Sequence, residues 1–376
     1  MSIETIVTRA WQRQAVWLWL LLPVSWLYGF ITLLRRQAYK AGLLSSYRAP
    51  IPVMVIGNIS VGGSGKTPLI IALVSYLQKK GVKVGVISRG YGGDTSQMPA
   101  LVSATSLPHV VGDEPCLIAH MTGAAMAVCP NRQQAIATLL KTEPNLQLII
   151  ADDGLQHYAL QRDIEWIVVD AARGFGNKQL LPTGFLREPV SRLEGANVIY
   201  HEKPNTDLTL TSKSGSKIRS ADRLTMHLQA GELQRLWNPT SSVAQLSSVK
   251  PPDNSRVHAV SGIGYPQRFF DTLESIGFEV IGHPYPDHYD FSLAELLQYG
   301  DYPIIVTSKD AVKISALLAD YTATQALNDE YVELVSRLWM LPVTAVLSEN
   351  SYHNLDAQLK ALGIRNDHDM NTSASL

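Results

Sequence analysis

The sequence predicts an α/β fold, with a parallel sheet buried on both faces and then a second, smaller α/β unit. Three observations carry this. Five nearly continuous apolar runs, "PVMVIGN" (52–58), "VKVGVIS" (82–88), "LQLIIAD" (146–152), "IEWIVVD" (164–170) and "NVIYHE" (197–202), have strand length and lack the polar alternation of a one-faced sheet. The first of them passes directly into "ISVGGSGKTPLI" (59–70), which reads as strand, glycine-rich turn and helix start. A polar stretch rich in Ser, Thr, Lys and Asn, from about Lys203 to Asn254, then separates this series from another. Composition agrees: 376 residues suffice for two domains, and 46% hydrophobic content for real cores.

In chain order the first element is apolar. From Ala15 to Leu34 twenty consecutive residues carry no charge, which at about 1.5 Å per residue matches a hydrocarbon core of about 30 Å. Pro23 and Gly29 interrupt this run. Tryptophans recur at positions 11, 17, 19 and 26, and Arg9, Arg13, Arg35, Arg36 and Lys40 flank both ends. Trp prefers the headgroup boundary, and cations on both sides give no orientation. Three readings stay open: a helix lying in a membrane surface, a true span, and a soluble apolar helix covering a groove. A signal peptide fits less well, because the run is long and no small-residue cleavage site precedes Arg35. The expected organisation is an apolar helix over 1–36, a phosphate-loop domain over 37–225, a smaller α/β domain over 226–364 and a polar tail, expected to be disordered, over 365–376.

The loop after the first strand follows G-x-x-x-x-G-K-[ST] except that Ser60 stands where the pattern asks for glycine. Gly62, Gly63 and Gly65 let backbone N–H groups converge on phosphate oxygens, with Val61 and Ser64 between and beside them. Lys66 adds a point charge, and Thr67 offers a hydroxyl to Mg²⁺. Pro68 suits the first turn of a helix whose dipole also favours an anion. Further on, "LIIADDGLQH" ends a strand in Asp152 and Asp153, where an acidic residue can hold Mg²⁺ beside Thr67. "VVGDEPCLIAH" puts Asp113 and Glu114 at a helix start, where carboxylates are also common as caps. "HPYPDHYDF" places His283 and His288 in a proline-rich loop, and a partner elsewhere in the fold decides whether either matters.

The polar boundary stretch holds one strand, "DRLTMHLQA", and the second series that follows comprises "RVHAVSGI", "FEVIGHPY", "YPIIVTSKDAVKI" and "LPVTAVLSE", with helices from Pro266 to Gly277, near Ser292 and after Ile314. Cys116 and Cys129 are too few for a disulfide framework and read as buried thiols in a reducing compartment. The ten histidines show no paired zinc spacing, so no structural metal is expected. A formal net charge of −1 gives no electrostatic reason to expect nucleic acid.

Taken in order behind the apolar N-terminus, "GNISVGGSGKTP", "SRGYGG", "GDEP", "NR" at 131–132, "DDGLQH", "LPTGFLREP" and "PDHYDF" closely resemble the tetraacyldisaccharide 4'-kinases, the lipid A 4'-kinases of Gram-negative bacteria. The resemblance spans roughly residues 10 to 350, and Ser60 is usual in that family. It implies a P-loop NTPase core of the RecA-like type with a membrane-associated N-terminal helix. The implied activity is ATP-dependent phosphorylation of the 4'-hydroxyl of a β-1,6-linked, acylated glucosamine disaccharide 1-phosphate, giving lipid IVA. It implies work at the cytoplasmic face of the inner membrane, as a peripheral or monotopic protein, without an obligatory protein partner. By the same resemblance Asp113 is the base and His288 its partner from the second domain. Arg89, Tyr91, Arg132 and His157 then lie near substrate or phosphate, and Glu188 of "LREP" is a further candidate for Mg²⁺.

Rival classes can be tested against the same residues. A GTPase needs an Asn-Lys-x-Asp guanine reader, and "TSKD" and "NKQL" both lack the spacing. A partition-type ATPase carries lysine immediately before the two glycines, where this chain has Val61. A structural membrane protein with a vestigial nucleotide fold would leave Asp113, Asp152 and His288 without a common purpose.

Overall fold

The structure is a computed structural model that describes residues 3–203, 223–236, 251 and 255–364. The expected tail and most of the polar segment 203–254 lie outside the described residues. The strands are β1 Val53–Gly57, β2 Val84–Ser88, β3 Ala100–Val102, β4 Ala125–Val128, β5 Leu148–Asp152, β6 Ile164–Asp170, β7 Asn197–His201, β8 Leu224–Ala230, β9 Gln234–Arg235, β10 Arg256–Ser261, β11 Glu279–Pro284, β12 Ile304–Thr307, β13 Leu338–Leu341 and β14 Val343–Leu347. The helices are α1 Ile3–Gln12, α2 Leu22–Lys40, α3 Lys66–Lys79, α4 Pro108–Val111, α5 Asp113–Thr122, α6 Arg132–Thr142, α7 Pro266–Ser275, α8 Leu293–Leu297, α9 Ser308–Thr324, α10 Asp329–Arg337 and α11 Glu349–Ala361.

The first sheet has the order β14-β8-β7-β6-β1-β5-β2-β4-β3. Its inner pairs are all parallel, and the edge pairs β14 with β8 and β3 with β4 are antiparallel. Every residue of β1, β2 and β5 is buried, as continuous apolar runs require when helices cover both faces. On one face α3 presents Leu69, Ile70, Leu73, Val74 and Leu77, all fully buried at helical spacing. On the other, α6 presents Ala135, Ile136 and Leu139. Each buried Leu or Ile here contributes about 1.5–3 kcal/mol over leaving it exposed, so this packing fixes the strand ends that carry the site.

A second, five-stranded sheet has the order β11-β10-β12-β13-β9, parallel except for β9. Two features differ from the sequence reading. "LPVTAVLSE" was expected within the smaller domain, but β14 pairs with β8 in the first sheet, and α11 packs Leu355 and Leu359 into that sheet's core. The chain therefore leaves for the second lobe after β8 and returns. Gln358 accepts from Trp166 Nε1 at 3.0 Å, and Asp356 accepts from Tyr76 at 2.9 Å, which locks the return. Within "YPIIVTSKDAVKI" the strand stops at Thr307, whose side chain caps the Asp310 N–H, and the helix begins at Ser308.

The apolar N-terminus also departs from a single helix ending near residue 36. Val16–Leu21 winds as a 3₁₀ segment, and α2 starts at Leu22 with Pro23 in its first turn and continues to Lys40. Proline lacks the N–H that would bond the carbonyl four residues back, so a continuous α-helix through it is disfavoured while a new start is not. One side of this segment docks on residues 180–187. Ser25 Oγ donates to Leu180 O at 3.0 Å and accepts from Thr183 N at 3.0 Å, Tyr28 Oη donates to Arg187 O at 3.1 Å, and Trp11 Nε1 donates to Pro182 O at 2.9 Å. The other side is bare: Val16, Leu20, Trp26, Leu27, Phe30 and Ile31 are all exposed, Leu20 by 82%.

Candidate active site

β1 ends at Gly57, and the chain turns through Asn58 and residues 60–65 into α3. A Cβ on Gly57 would stand 2.5 Å from Leu155 Cβ, so the strand end packs against the turn after β5 only as glycine. Gly62 and Gly65 both have φ +93°, a conformation side chains rarely adopt. Bonds from several elements brace the loop. Val61 N donates to Phe185 O at 2.8 Å, Arg187 N donates to Ile59 O at 2.7 Å, Arg187 Nε donates to Ser60 O at 3.2 Å, and Arg173 donates to Val61 O. His201 Nδ1 lies 3.2 Å from Ser64 O.

Lys66 Nζ donates to Asn58 Oδ1 at 3.2 Å and pairs with Asp153 Oδ1 at 3.3 Å. Arg187 forks onto the same carboxylate, with Nη1 at 3.0 Å and Nη2 at 3.2 Å, and also donates to Asn58. Burial works against ionising Asp153, but these two cations outweigh it and hold its carboxyl well below the usual carboxylate range. Its φ of 45° is uncommon for a residue with a Cβ. Asp152 differs. The register Ile56↔Asp152 places it beside the exit of β1, fully buried. Oδ2 accepts from Ser88 Oγ at 3.0 Å, and Oδ1 has no hydrogen-bond partner among the described residues. Burial, with the charges of Glu114 and Asp153, pushes its carboxyl up to about 7. A buried carboxylate oxygen left without a partner at the strand end nearest the loop fits a cation. Glu188 is otherwise engaged. Its oxygens accept from Gln156 at 2.8 Å and Tyr158 at 2.6 Å, with Arg192 at 3.3 Å, so a role at a metal would require exchanging those bonds.

The second cluster joins the two lobes. Gly112, with φ 97°, leads into α5, where Asp113 is buried in the first turn. Its Oδ1 accepts from the adjacent Glu114 N–H at 2.9 Å, although the N-cap of α5 is Gly112 and no side chain caps it; its Oδ2 lies 3.0 Å from His288 Nδ1, across 175 residues of sequence. Lys309 Nζ stands 3.8 Å and Lys313 Nζ 4.0 Å from the same Oδ2. Burial disfavours the charged carboxylate, but the His288 hydrogen bond and the two lysines outweigh it, and the Asp113 pKa falls below its ordinary value. Burial likewise disfavours imidazolium at His288, yet the bond to Asp113, with the charges of Asp113 and Asp287, outweighs both that and Lys309, and its pKa rises. His288 has φ 58°, so the loop holds it in a strained backbone region, worth of order 1–3 kcal/mol where it occurs. The lobes meet again where Arg268 pairs with Asp170 and where a Cβ on Gly264 would stand 3.5 Å from Gly63 N.

The expected substrate residues divide. Tyr91 is exposed, its ring 4.9 Å from that of His288 in an edge arrangement. Arg89 is exposed at the end of β2. Arg132 is buried, donating to Cys129 O at 3.2 Å and Asp152 O at 3.0 Å, so its guanidinium serves the strand ends. His157 is half-buried, and burial together with Arg132, Arg162, Arg35 and Arg89 lowers its pKa to about 4, leaving it neutral amid cations. Asn58, Arg173, Arg187, Lys309 and Lys313 were not singled out from the sequence. Arg187 stood inside a quoted motif, and Lys309 inside "TSKD", weighed only as a guanine reader.

Comparison with known proteins identifies the family. The family model for tetraacyldisaccharide-1-P 4'-kinase matches residues 17–360. The tetraacyldisaccharide 4'-kinase of Psychrobacter cryohalolentis is 71% identical over 366 residues, covering 97% of this chain and 98% of the relative. That of Ectopseudomonas mendocina is 42% identical over 319 residues, covering 85% and 91%. The crystal structure of LpxK from Aquifex aeolicus in complex with ATP superposes with a TM-score of 0.67 at 24% identity, covering 91% of this chain and 98% of that one. The fold is thus shared even where the sequence has drifted. On these grounds the chain belongs to the tetraacyldisaccharide-1-P 4'-kinase family.

Proposed function

We propose that the cleft between the lobes transfers the γ-phosphoryl group of ATP to the 4'-hydroxyl of the tetraacylated glucosamine disaccharide 1-phosphate, giving lipid IVA. The observation that carries this is the Asp113–His288 pair, a base candidate contributed by both lobes beside a phosphate loop. The backbone N–H groups of residues 62–65 and the ammonium of Lys66 bind the ATP phosphates, while the Val61 N–H is kept by Phe185 O as a brace of the loop. Lys66 and Arg187, now held by Asp153 and Asn58, supply the positive charge that phosphoryl transfer needs most. Asp113 accepts the hydroxyl proton as the new O–P bond forms, and the electron pair of the breaking bond leaves with ADP.

A bound Mg²⁺ would supply positive charge against the negative charge of the phosphates. Thr67 and Asp152 are the residues that would hold it. Asp153 orients Lys66 and Arg187, and Glu188 joins only by releasing Gln156 or Tyr158. Arg89, Tyr91 and the neutral His157 line the acceptor side, and the buried charge of Arg132 favours an anion there.

The apolar segment supports work at a membrane surface. Its most apolar stretch within Val16–Lys40 has mean hydropathy 1.7 and is only 11% buried. Hydrogen bonds from Trp11, Ser25 and Tyr28 tie one side to the body of the protein, which favours a helix lying in the cytoplasmic face of the inner membrane over one surrounded by lipid. The test is incubation of purified protein with ATP, Mg²⁺ and tetraacyldisaccharide 1-phosphate. A lipid bisphosphate is the expected product, and its absence with folded protein refutes the reading.

A further inference from the structure

Lys309 occupies a constructed position. It lies in the first turn of α9, and that helix start is pinned because Asp310 Oδ2 accepts from Gly262 N at 3.0 Å and from Thr307 Oγ1 at 2.7 Å. From there Lys309 Nζ reaches Asp287 Oδ1 at 3.1 Å, Glu114 Oε1 at 3.3 Å and His288 Nε2 at 3.2 Å. These are three partners for three N–H donors.

We infer that Lys309 is a positioning residue for the transfer: by donating to Nε2 it fixes His288 as the neutral Nδ1–H tautomer that donates to Asp113. This rests on the reading of Asp113 as acceptor of the sugar proton. An ammonium has no lone pair, so the contact at Nε2 exists only if that nitrogen accepts. The ring's single proton is then on Nδ1, 3.0 Å from Asp113 Oδ2. The two contacts are satisfied together by one tautomer. A second proton on His288 would set Nε2–H against the ammonium and turn the neutral donor into a full counter-charge. Asp113 would then hold its electron pair in an ion pair and be a weaker base.

The surroundings keep Lys309 charged. Burial disfavours the ammonium, but Glu114, Asp287 and Asp113 outweigh it and raise its pKa well above the ordinary lysine value. Around His288 stand Asp113 from α5, Asp287 at 3.9 Å from its own loop, Lys309 from α9 and the Tyr91 ring. Around Asp113 stand His288, Lys309 and Lys313. Removing Lys309 leaves Asp287 and Glu114 without their shared cation and takes a positive charge from both members of the pair. Each of these changes raises the His288 or Asp113 pKa, so the acid limb of the rate profile moves to higher pH.

The experiment has two parts. ¹⁵N-histidine NMR of the full chain at alkaline pH, above the raised His288 pKa, with His288 assigned by its loss in His288→Gln, should show Nδ1 protonated and Nε2 bare; an Nε2–H tautomer overturns the inference. In steady-state assays Lys309→Met should lower kcat ~10-fold or more, part of what general-base assistance supplies. KM for ATP should stay within ~2-fold. The acid limb should rise by ~1 pH unit, and Lys309→Arg, which keeps the charge, should bring it back. Unchanged kcat and acid limb in Lys309→Met also overturn the inference. If Asp113→Ala and His288→Ala retain full kcat, the reading of the base has failed instead; if they lose activity while His288 is the Nε2–H tautomer, only the role of Lys309 has.

Discussion

The two halves of the cleft are built differently. The phosphate half is one continuous stretch, from Gly57 to Thr67, held by bonds from Phe185, Arg187, Arg173 and His201, all of which belong to the first lobe. The acceptor half has no such stretch. Asp113 comes from α5, His288 from the loop after β11 and Lys309 from α9, and these meet only because the second sheet packs with α9 against α5. The first half is therefore preformed within one lobe. The second exists to the extent that the lobes are closed.

The largest effect should test the assembled half. Asp113→Ala and His288→Ala should each lower kcat by about 10²–10⁴ while ATP binding is retained, as loss of general-base assistance does. The double variant should be little worse than the poorer single, because groups acting as a unit are non-additive. Losses that multiply would mean independent residues and would break the contrast drawn above.

Next comes the preformed half. Lys66→Ala should lower kcat/KM by about 10²–10³, the worth of one preorganised electrostatic donor. Circular dichroism should remain native, because the loop's bracing does not pass through this side chain. Near-normal turnover would remove the loop from the site.

A third prediction concerns the brace itself. Ser25→Val removes the acceptor of Thr183 N and the donor to Leu180 O. Leaving a buried group unpaired costs about 1–3 kcal/mol, to be read as a lower midpoint in denaturant unfolding. Residues 180–187 also carry Phe185 and Arg187, so KM for ATP should rise in this variant. Deleting residues 1–34 should instead raise KM for the lipid more than for ATP and release the protein from membranes. Continued sedimentation with membranes would point to a second surface.

The smallest effect is a dependence on pH. Burial, and then the charge of Arg268, lower the His201 pKa to about 4. The unfolded chain takes up that proton near pH 6.5, so stability is fully present above this value and is lost as pH falls from 6.5 towards 4. At pH 5 the loss should be about 1–2 kcal/mol. His157 and Asp152 titrate in the same window and act alike in both chains, so between pH 7 and pH 5 the His201→Gln variant should lose about 1–2 kcal/mol less stability than the unsubstituted chain. An equal loss in the two would assign the effect to another group.

What the sequence determined by itself is the part whose physics is local. The run from β1 into α3 needs glycines at fixed places, an ammonium and a hydroxyl in succession, and these are adjacent letters. The same holds for the acidic end of β5 and the carboxylate pair opening α5. The apolar character of residues 15–34 was equally plain, though the switch from 3₁₀ to α-helix at Pro23 was not drawn from it. Asp113 and His288 were linked across 175 residues only through the family resemblance, and the 3.0 Å contact is a property of how the lobes pack. Tertiary structure alone decided that β14 and α11 return to the first sheet, that Arg187 shares Asp153 with Lys66, that Glu188 is occupied by Gln156 and Tyr158, and that "TSKD" brings Lys309 to the imidazole. Spacing along a chain encodes what neighbouring peptide units can do. Whether a lysine on one helix meets a carboxylate on another depends on buried surfaces distributed over both lobes, which no short window of sequence contains.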